Sequence, residues 1–517
     1  MTKFKIAAVV FILLSVSNLF AQNRQNSTVP ADNAKDNSVA ADTDTQKASS
    51  VDYLMGGVFG AVTIDGKNYQ QIGLRPEIKL WKLGIGLDLN ILLDENGKIR
   101  EEDWNEKMDY LDKVYFISWG KKGEPFYFKF GGLDSTTLGY GAIMRGYTNL
   151  LEYPTYKRQG LELSVDTTYT GMEIAVNNFK ELAGRNSAVM GGGRVYVKPF
   201  SRLQIGGSFA GDLNEYKGLR DTDDDGYPDE VDMYPDNDDY VTQRDYYRKK
   251  LLDSGMSSAA VDAMLEDLSD AGLISTLEKG DLRNYSDERS RTGFWGVDAG
   301  LKLVDSDFFD LDIYSQFSKS LNTDGWGFTA PGIRITAGSI FEIYADYRQQ
   351  SDEFIFGYYN DTYDLERAKY VDDGSGNLYV VTKKDKLKAA IASRGYMAGM
   401  KLNFFNFITG KAEYQDMNWG KEEEINDKSL KGELALNQNV LPLVSKAKAY
   451  YVQNNVEKIQ WKTESTVMGG VFGLGVAEGV SIDFNYFITF EDKNGDGKIA
   501  GDDERITNVS VSTNSIF

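Results

Sequence analysis

The chain has 517 residues and a formal net charge of −21, from 57 Lys and Arg against 78 Asp and Glu, and it contains neither histidine nor cysteine. These absences exclude disulfides, histidine-dependent catalytic triads and zinc sites of the usual His/Cys kind. The acidic excess argues against nucleic acid as a partner, because a phosphate backbone selects Lys and Arg.

The N-terminal residues 1–21, MTKFKIAAVVFILLSVSNLFA, place two lysines ahead of an apolar run that is too short for a spanning helix. This pattern predicts a secretory signal peptide that is cleaved near Ala21, with a retained membrane anchor as the alternative. Residues 22–50 are rich in Asn, Asp, Ser and Thr and lack aromatics. They cannot bury enough apolar surface to fold, so we expect a flexible leader.

From Val51 onward, apolar and polar residues alternate in short runs. In 481–490, for example, Ile482, Phe484 and Tyr486 alternate with Ser481 and Asp483, and this period of two predicts strands. The predicted strands are 52–63, 69–80, 83–94, 112–119, 125–132, 158–167, 170–178, 189–198, 202–212, 291–304, 308–319, 326–336, 339–349, 395–404, 408–417, 428–437, 444–453, 466–477, 480–490 and 505–517. The fold class is therefore all-β, although alternation alone does not separate a membrane barrel from a soluble sandwich.

The lengths of the connections make that separation. Counted back from the C-terminus, short connections such as 168–169, 337–338 and 478–479 alternate with long ones such as 213–290 and 350–394. This layout, and the terminal Phe517, resemble Gram-negative outer-membrane β-barrels. The resemblance implies a transmembrane antiparallel β-barrel of about 20 strands (18–22) over residues 51–517, with extracellular long loops. It also implies two partners, outer-membrane lipid and, through Phe517, the barrel-assembly machinery.

Residues 132–156 form a connection in which aromatic residues and one arginine stand among glycines. In porins an early loop often folds into the lumen. We therefore interpret this segment as a constriction or partial plug, with Tyr140, Arg145 and Tyr147 as the candidate residues. A surface loop or a pair of ordinary strands is the alternative.

An acidic stretch, 221–239, reads DTDDDGYPDEVDMYPDNDD and lies in the long insert 213–290. Its carboxylates recur at the spacing that surrounds one Ca²⁺ with oxygens, and Gly226 stands where the chain must turn sharply. It resembles a thrombospondin type 3 repeat, and the resemblance implies calcium binding; a solvated acidic loop is the alternative. The candidate ligands are Asp221, Asp223, Asp225, the Tyr227 carbonyl, Asp229 and Asp232.

A second stretch, 492–503, reads DKNGDGKIAGDD and resembles an EF-hand loop. Both acidic stretches belong to connections expected outside the cell, where calcium would order them without any catalytic role. The candidate ligands here are Asp492, Asn494, Asp496, the Lys498 carbonyl and Asp503.

The rest of the long insert changes its period. Val261, Met264, Leu265 and Leu268 follow helical spacing after Ser257 or Ser258 as an N-cap. These residues predict a small helical subdomain within 213–290.

These features favour a porin-like channel for ions or small solutes, with calcium-stabilised extracellular loops and an acidic lumen. The alternative is a surface-exposed structural or adhesive barrel whose loops bind partners. We expect no enzymatic activity, because the membrane-barrel hydrolases of known kinds depend on histidine. The transported solute and the oligomeric state stay open.

Overall fold

The computed structural model describes the barrel region of the chain. The described residues are 51–517 without 65–66, 101–103, 105–107, 152–155, 183–188, 224, 236, 286–287, 307, 373–377, 406, 419–427, 437–439, 442, 478–479, 491, 493–497, 501–503 and 517. The predicted signal peptide, the predicted leader and Phe517 lie outside these residues.

One antiparallel sheet contains nearly all the strands. Its strands are β1 (Val51–Ile64), β2 (Lys67–Leu80), β3 (Leu83–Leu87), β4 (Leu89–Leu93), β5 (Val114–Trp119), β6 (Phe126–Gly131), β7 (Gly160–Asp166), β8 (Thr170–Val176), β9 (Met190–Phe200), β10 (Leu203–Asp212), β11 (Thr292–Asp305), β12 (Phe309–Ser320), β13 (Trp326–Ala337), β14 (Phe341–Gln350), β17 (Ser393–Phe404), β18 (Ile408–Asp416), β19 (Lys428–Leu436), β20 (Val444–Val456), β21 (Thr466–Ala477), β22 (Val480–Phe490) and β23 (Arg505–Ile516). A separate hairpin joins β15 (Ala368–Asp372) to β16 (Leu378–Thr382). Each of the predicted strands has its counterpart in the sheet.

The sheet closes into a barrel. Each strand pairs with the next along the chain, and β1 pairs with β23 through Leu54 opposite Ile516 and Val58 opposite Ser512. β3 and β4 both pair with β2 and form one strand that is interrupted at Asp88. The described chain is therefore a 20-strand antiparallel barrel, as the sequence predicts. Among the described strands there is no open sheet edge whose backbone N–H and C=O groups would face lipid without hydrogen-bond partners.

The two faces of the wall differ in polarity. On β14, Ile343 is exposed on the outside, whereas Tyr344, Asp346 and Arg348 are buried inside. Val297 on β11 likewise points outward, beside the inward Asp298. An apolar exterior around a polar interior is the construction of an outer-membrane β-barrel.

The connections sort by length between the two ends of the barrel. One end carries only short turns such as 81–82, 201–202 and 405–407, and we call it the short-turn end. The other, the long-loop end, carries 213–291 and 351–392. In outer-membrane barrels the short turns are periplasmic and the longer loops are extracellular.

The long loops contain the helices. The insert after β10 has α1 (Gln243–Asp253), which Thr242 and Asp245 cap reciprocally, and α2 (Ser258–Asp270), capped by the Ser257 side chain. The connection between β14 and β17 has α3 (Tyr363–Glu366) and α4 (Lys383–Ala389). Among the described residues, no helix has the length and apolar character needed to cross a membrane.

The outward face gives a test of the membrane position. Val297 lies near the middle of β11, so Val297→Lys should lower the free energy of unfolding by about 2–4 kcal/mol in lipid vesicles. Leu303 lies near the end of the same strand, and Leu303→Lys should cost only about 0–1 kcal/mol. Urea titration of the refolded variants measures both values, and equal costs would contradict this placement of the wall.

Candidate functional site

The connection between β6 and β7 reaches the inward side chains of several strands. We call residues 132–150 the inner segment. The Tyr140 ring stacks on Tyr314 of β12 at 4.3 Å between centroids, and the Gly139 N–H donates to Glu173 of β8 at 2.9 Å. The Ala142 N–H donates to Gln316 of β12 at 3.2 Å. These partners stand on the inner face of the wall, so the inner segment lies within the ring of strands.

Arg145 joins the inner segment to a further part of the wall. Its Nη2 lies 3.2 Å from Glu413 Oε1 on β18, and its Nε donates to Glu413 Oε2 at 3.4 Å. Its guanidinium also stands 5.2 Å from the centre of the Tyr344 ring, and the Tyr344 hydroxyl donates to Glu413. The arginine and the tyrosine thus share one carboxylate on the wall formed by β14, β17 and β18.

A second segment covers the inner segment from the long-loop end. We call residues 351–367 the cap segment. Its residues Phe354, Tyr358 and Tyr359 are fully buried. Its backbone pairs with the inner segment, because the Gly357 N–H donates to the Ala142 carbonyl at 2.8 Å and the Arg145 N–H donates to the Tyr359 carbonyl at 2.9 Å. The two segments therefore form one buried unit.

An ionic cluster fixes the end of the cap segment. Arg367 is buried, with Nε 2.6 Å from Asp212 Oδ2 and Nη2 2.9 Å from Glu181 Oε2. The Tyr358 hydroxyl donates to Glu215 at 2.6 Å. Burial raises the pKa of Glu215, and the nearby carboxylate of Asp212 raises it further.

The predicted constriction residues have different surroundings. Tyr140 and Arg145 line a cavity of about 1060 Å³ inside the barrel. Tyr147 is not among its lining residues; it is fully buried and its hydroxyl donates to Asp364 of the cap segment at 2.8 Å. Tyr147 therefore joins the inner and cap segments and does not border the cavity.

The first acidic stretch brings three of its predicted ligands together. Carboxylate oxygens of Asp221, Asp223 and Asp225 all lie within 4.8 Å of one another. Gly226 has a φ of 96°, which favours glycine, and its N–H donates to Asp221 at 3.0 Å. The Tyr227 N–H donates to Asp225 at 2.9 Å. The turn therefore folds as a compact loop that directs carboxylates to one point.

The remaining two acidic candidate ligands, Asp229 and Asp232, differ from each other. Asp229 accepts hydrogen bonds from Thr222 and lies 3.1 Å from Arg220 Nε, so its oxygens have partners within the protein. Asp232 is buried and accepts from the Tyr234 N–H at 2.7 Å. Burial raises the pKa of Asp232 to about 7, and the carboxylates of Asp225 and other neighbours add to the rise.

The donor chemistry of the loop fits a hard cation. Among the described residues, no donor reaches the buried Oδ2 atoms of Asp223 and Asp232. Buried carboxylate oxygens are costly unless a donor or a cation satisfies them. Lys279 Nζ lies 3.5 Å from Asp225 Oδ2 and supplies one of the positive charges the loop needs.

The second acidic stretch is only partly described. Asn494, Asp496 and Asp503 lie outside the described residues. The Asp492 N–H donates to Glu464 at 3.4 Å, and Lys498 belongs to an irregular segment. The five candidate ligands therefore stay a prediction from the sequence.

Sequence reasoning missed the partners that hold these segments. Glu413, Asp364 and Arg367 showed no local motif, because each acts through a residue far along the chain. Arg145 and Glu413 are 268 residues apart, and Arg367 and Asp212 are 155 apart. A weak signal existed in the strand pattern, since alternation places Glu413 on the inner face of β18.

No protein-family model matches the chain, and no curated protein matches it. Among solved structures, it is similar to OpdQ of Pseudomonas aeruginosa (9% identity, 90% of this chain and 94% of that chain, TM-score 0.27). It is also similar to the outer-membrane protein Wzi of Escherichia coli (9% identity, 90% of this chain and 84% of that chain, TM-score 0.30). A third similar structure is the copper transporter OprC (8% identity, 91% of this chain and 81% of that chain, TM-score 0.32). Similarities this low carry no argument, so the fold rests on the strand pairing described above.

The buried ionic cluster predicts how the cap segment responds to mutation. Arg367→Met leaves the Asp212 carboxylate buried and unpaired, which costs about 3–5 kcal/mol. We expect proteinase K to cleave 351–392 faster in this variant while the barrel survives. Lys388→Met is the control, because Lys388 is exposed and lies 3.9 Å from Asp385. Equal cleavage of the two variants would contradict the role of Arg367.

Proposed function

We propose that the protein is a porin-like channel of the Gram-negative outer membrane, for ions or small solutes. The cavity of about 1060 Å³ inside the closed barrel carries this proposal. Most of the residues that line it are polar or charged, and they include Arg145, Glu413 and Lys431. A wet interior of this kind is what a 20-strand wall leaves when its own side chains cannot fill it.

The inner segment narrows the path. The Arg145–Glu413 pair joins the inner segment to β18, and Lys431 of β19 lies 2.8 Å from Asp361 of the cap segment. Charged groups that line a lumen set both its width and its preference for ions. We therefore assign the constriction to Tyr140 and Arg145, with Glu413 as the group that holds the arginine in place.

Conductance measures the constriction directly. In planar bilayers the protein should form channels, and Arg145→Ala should raise the single-channel conductance roughly twofold because a side chain leaves the narrow region. The double variant Arg145→Ala/Glu413→Ala removes the carboxylate that the single variant leaves unpaired, and it should give the same increase. Arg248→Ala, on the exposed face of α1, is the control.

Two outcomes would contradict the proposal in different ways. Channels of unchanged conductance in both variants would remove Arg145 from the constriction. A correctly folded barrel without any conductance, which binds cells or matrix instead, would favour the surface-exposed structural role.

Calcium at the first acidic stretch completes the proposal. Asp221, Asp223, Asp225 and Asp232 would hold the ion, and its charge would offset the repulsion among carboxylates that stand close together. The role is structural, since the ion would order an extracellular loop. Support comes from the clustered oxygens and from the buried atoms that lack donors.

Proteolysis tests the calcium proposal. Residues 213–240 should be protected from protease in millimolar Ca²⁺ and cleaved faster in chelator, since weak extracellular sites bind at about 10⁻⁴–10⁻³ M. Asp223→Asn/Asp225→Asn should abolish the difference, whereas Asp238→Asn, at an exposed position, should keep it. Equal cleavage of the unmodified protein in calcium and in chelator would contradict the calcium proposal.

A further inference from the structure

The cavity has more positive than negative side chains, although the chain as a whole is strongly acidic. Among the described residues that line it, eight are Lys or Arg and six are Asp or Glu, whereas the whole chain has a net charge of −21. The expectation of an acidic lumen is wrong for this cavity, because many acids lie in loops such as 221–239. The charge of the lumen must be argued from its own side chains.

Five of the lining cations lie on nearby strands close to the short-turn end. Lys446 is one of them and lies 2.6 Å from Asp483; we call the other four the lysine arc. Lys401 stands three residues before the end of β17, and Lys411 stands three residues after the start of β18. The members of the lysine arc are Arg334 on β13, Lys401 on β17, Lys411 on β18 and Lys448 on β20.

Two carboxylates serve all four cations of the lysine arc. Lys401 Nζ lies 3.0 Å from Glu342, and Lys448 Nζ lies 3.0 Å from Glu433. The other two cations lie 3.9 Å from the same two carboxylates. Asp312 of β12 also stands opposite Arg334 in the strand register, so the arc keeps a surplus of about one positive charge after its ion pairs are formed.

The strand register places two of these cations directly against each other. Lys401 and Lys411 are opposite partners in the pairing of β17 with β18, and like charges in that position destabilise a sheet. Their side chains are 51% and 52% exposed toward the interior. A bound anion would offset the repulsion and is sterically free to reach both ammonium groups.

The opposite wall shows the contrasting arrangement. Arg194 of β9 is 2% exposed, with Nη2 2.6 Å from Asp298 and Nη1 3.1 Å from Glu173. This cation is buried and has two carboxylates to itself. The positive surplus is therefore a local property of the lysine arc and does not follow from inward-facing cations in general.

We propose that the lysine arc binds small oxyanions that carry two negative charges, such as dicarboxylates or phosphate, and makes the channel selective for anions. The proposal deepens the channel function above and rests on it. Lysine and arginine side chains that line a pore favour anions and phosphate, and ionised oxygens form strong hydrogen bonds with ammonium groups.

Ion selectivity is the first test. Reversal potentials across planar bilayers in a KCl gradient near 0.1 M should show that chloride is preferred over potassium. Lys401→Gln/Lys411→Gln should lower the chloride-to-potassium permeability ratio at least about threefold while conductance persists. Lys302→Gln is the matched control, since Lys302 is half-exposed near the same end on β11 and lies 3.4 Å from Asp305.

Binding is the second test and does not need conductance. Calorimetric titration of the purified full chain with succinate, and separately with inorganic phosphate, should show millimolar binding that the double variant loses and Lys302→Gln keeps. Heat-modifiable migration in gels verifies that each variant is folded. The two titrations decide which of the two oxyanions the lysine arc prefers.

The outcomes separate the two proposals. A conducting channel whose selectivity and binding are unchanged in the double variant overturns the lysine arc and leaves the channel function standing. Lysine-dependent binding without any conductance supports the site and overturns the channel function. A conducting channel that prefers potassium and binds neither succinate nor phosphate also overturns the inference.

Discussion

Every backbone N–H and C=O in the wall must find its partner inside the protein, because lipid offers none. The pairing of β1 with β23 satisfies this constraint by closing the ring, and the size of the ring follows from the number of strands. A ring of 20 strands is too wide for its own inward side chains to fill. The inner segment and the cap segment occupy part of that space from the long-loop end, and the cavity is the part that they leave. Barrel closure therefore creates an interior that the wall alone cannot fill and that the two segments occupy in part.

The side chains that face the interior are largely polar, because alternation places charged residues on the inner face of the wall. Charges that become buried there are stable only when they are paired and hydrogen-bonded. Arg367 meets Asp212 and Glu181, and Arg145 meets Glu413. These pairs link loops to strands that are distant in sequence, so the same electrostatic requirement that makes burial costly also specifies where each segment docks. Where the segments do not reach, the wall keeps exposed cations, and the lysine arc lies in that region.

The strands could be predicted because their signal is local: a period of two depends only on neighbouring residues, and it located each barrel strand within a few positions. Helix α2 was predictable for the same reason, since Val261 and Leu265 face its small core. Helix α1 buries none of its residues and therefore has no apolar period to read. The interior was not predictable in detail. Glycine and tyrosine content suggested an in-folded segment, yet the partner of Tyr147 depends on a cap segment that follows more than 200 residues later, and no local pattern encodes that contact.

Charge is distributed unevenly along the barrel axis, and the net charge of the chain does not reveal this. The clustered carboxylates of 221–239 belong to the long-loop end, whereas the positive surplus lies near the short-turn end. The acidic loop does not stand alone at its end: the Tyr285 N–H donates to the Gly226 carbonyl at 2.8 Å, and the Tyr285 ring lies 6.5 Å from that of Tyr370 on β15. Strand β15 continues directly from the cap segment. The acidic loop and the hairpin that follows the cap segment thus share one packing cluster, so the free energy of ordering either includes contacts with the other.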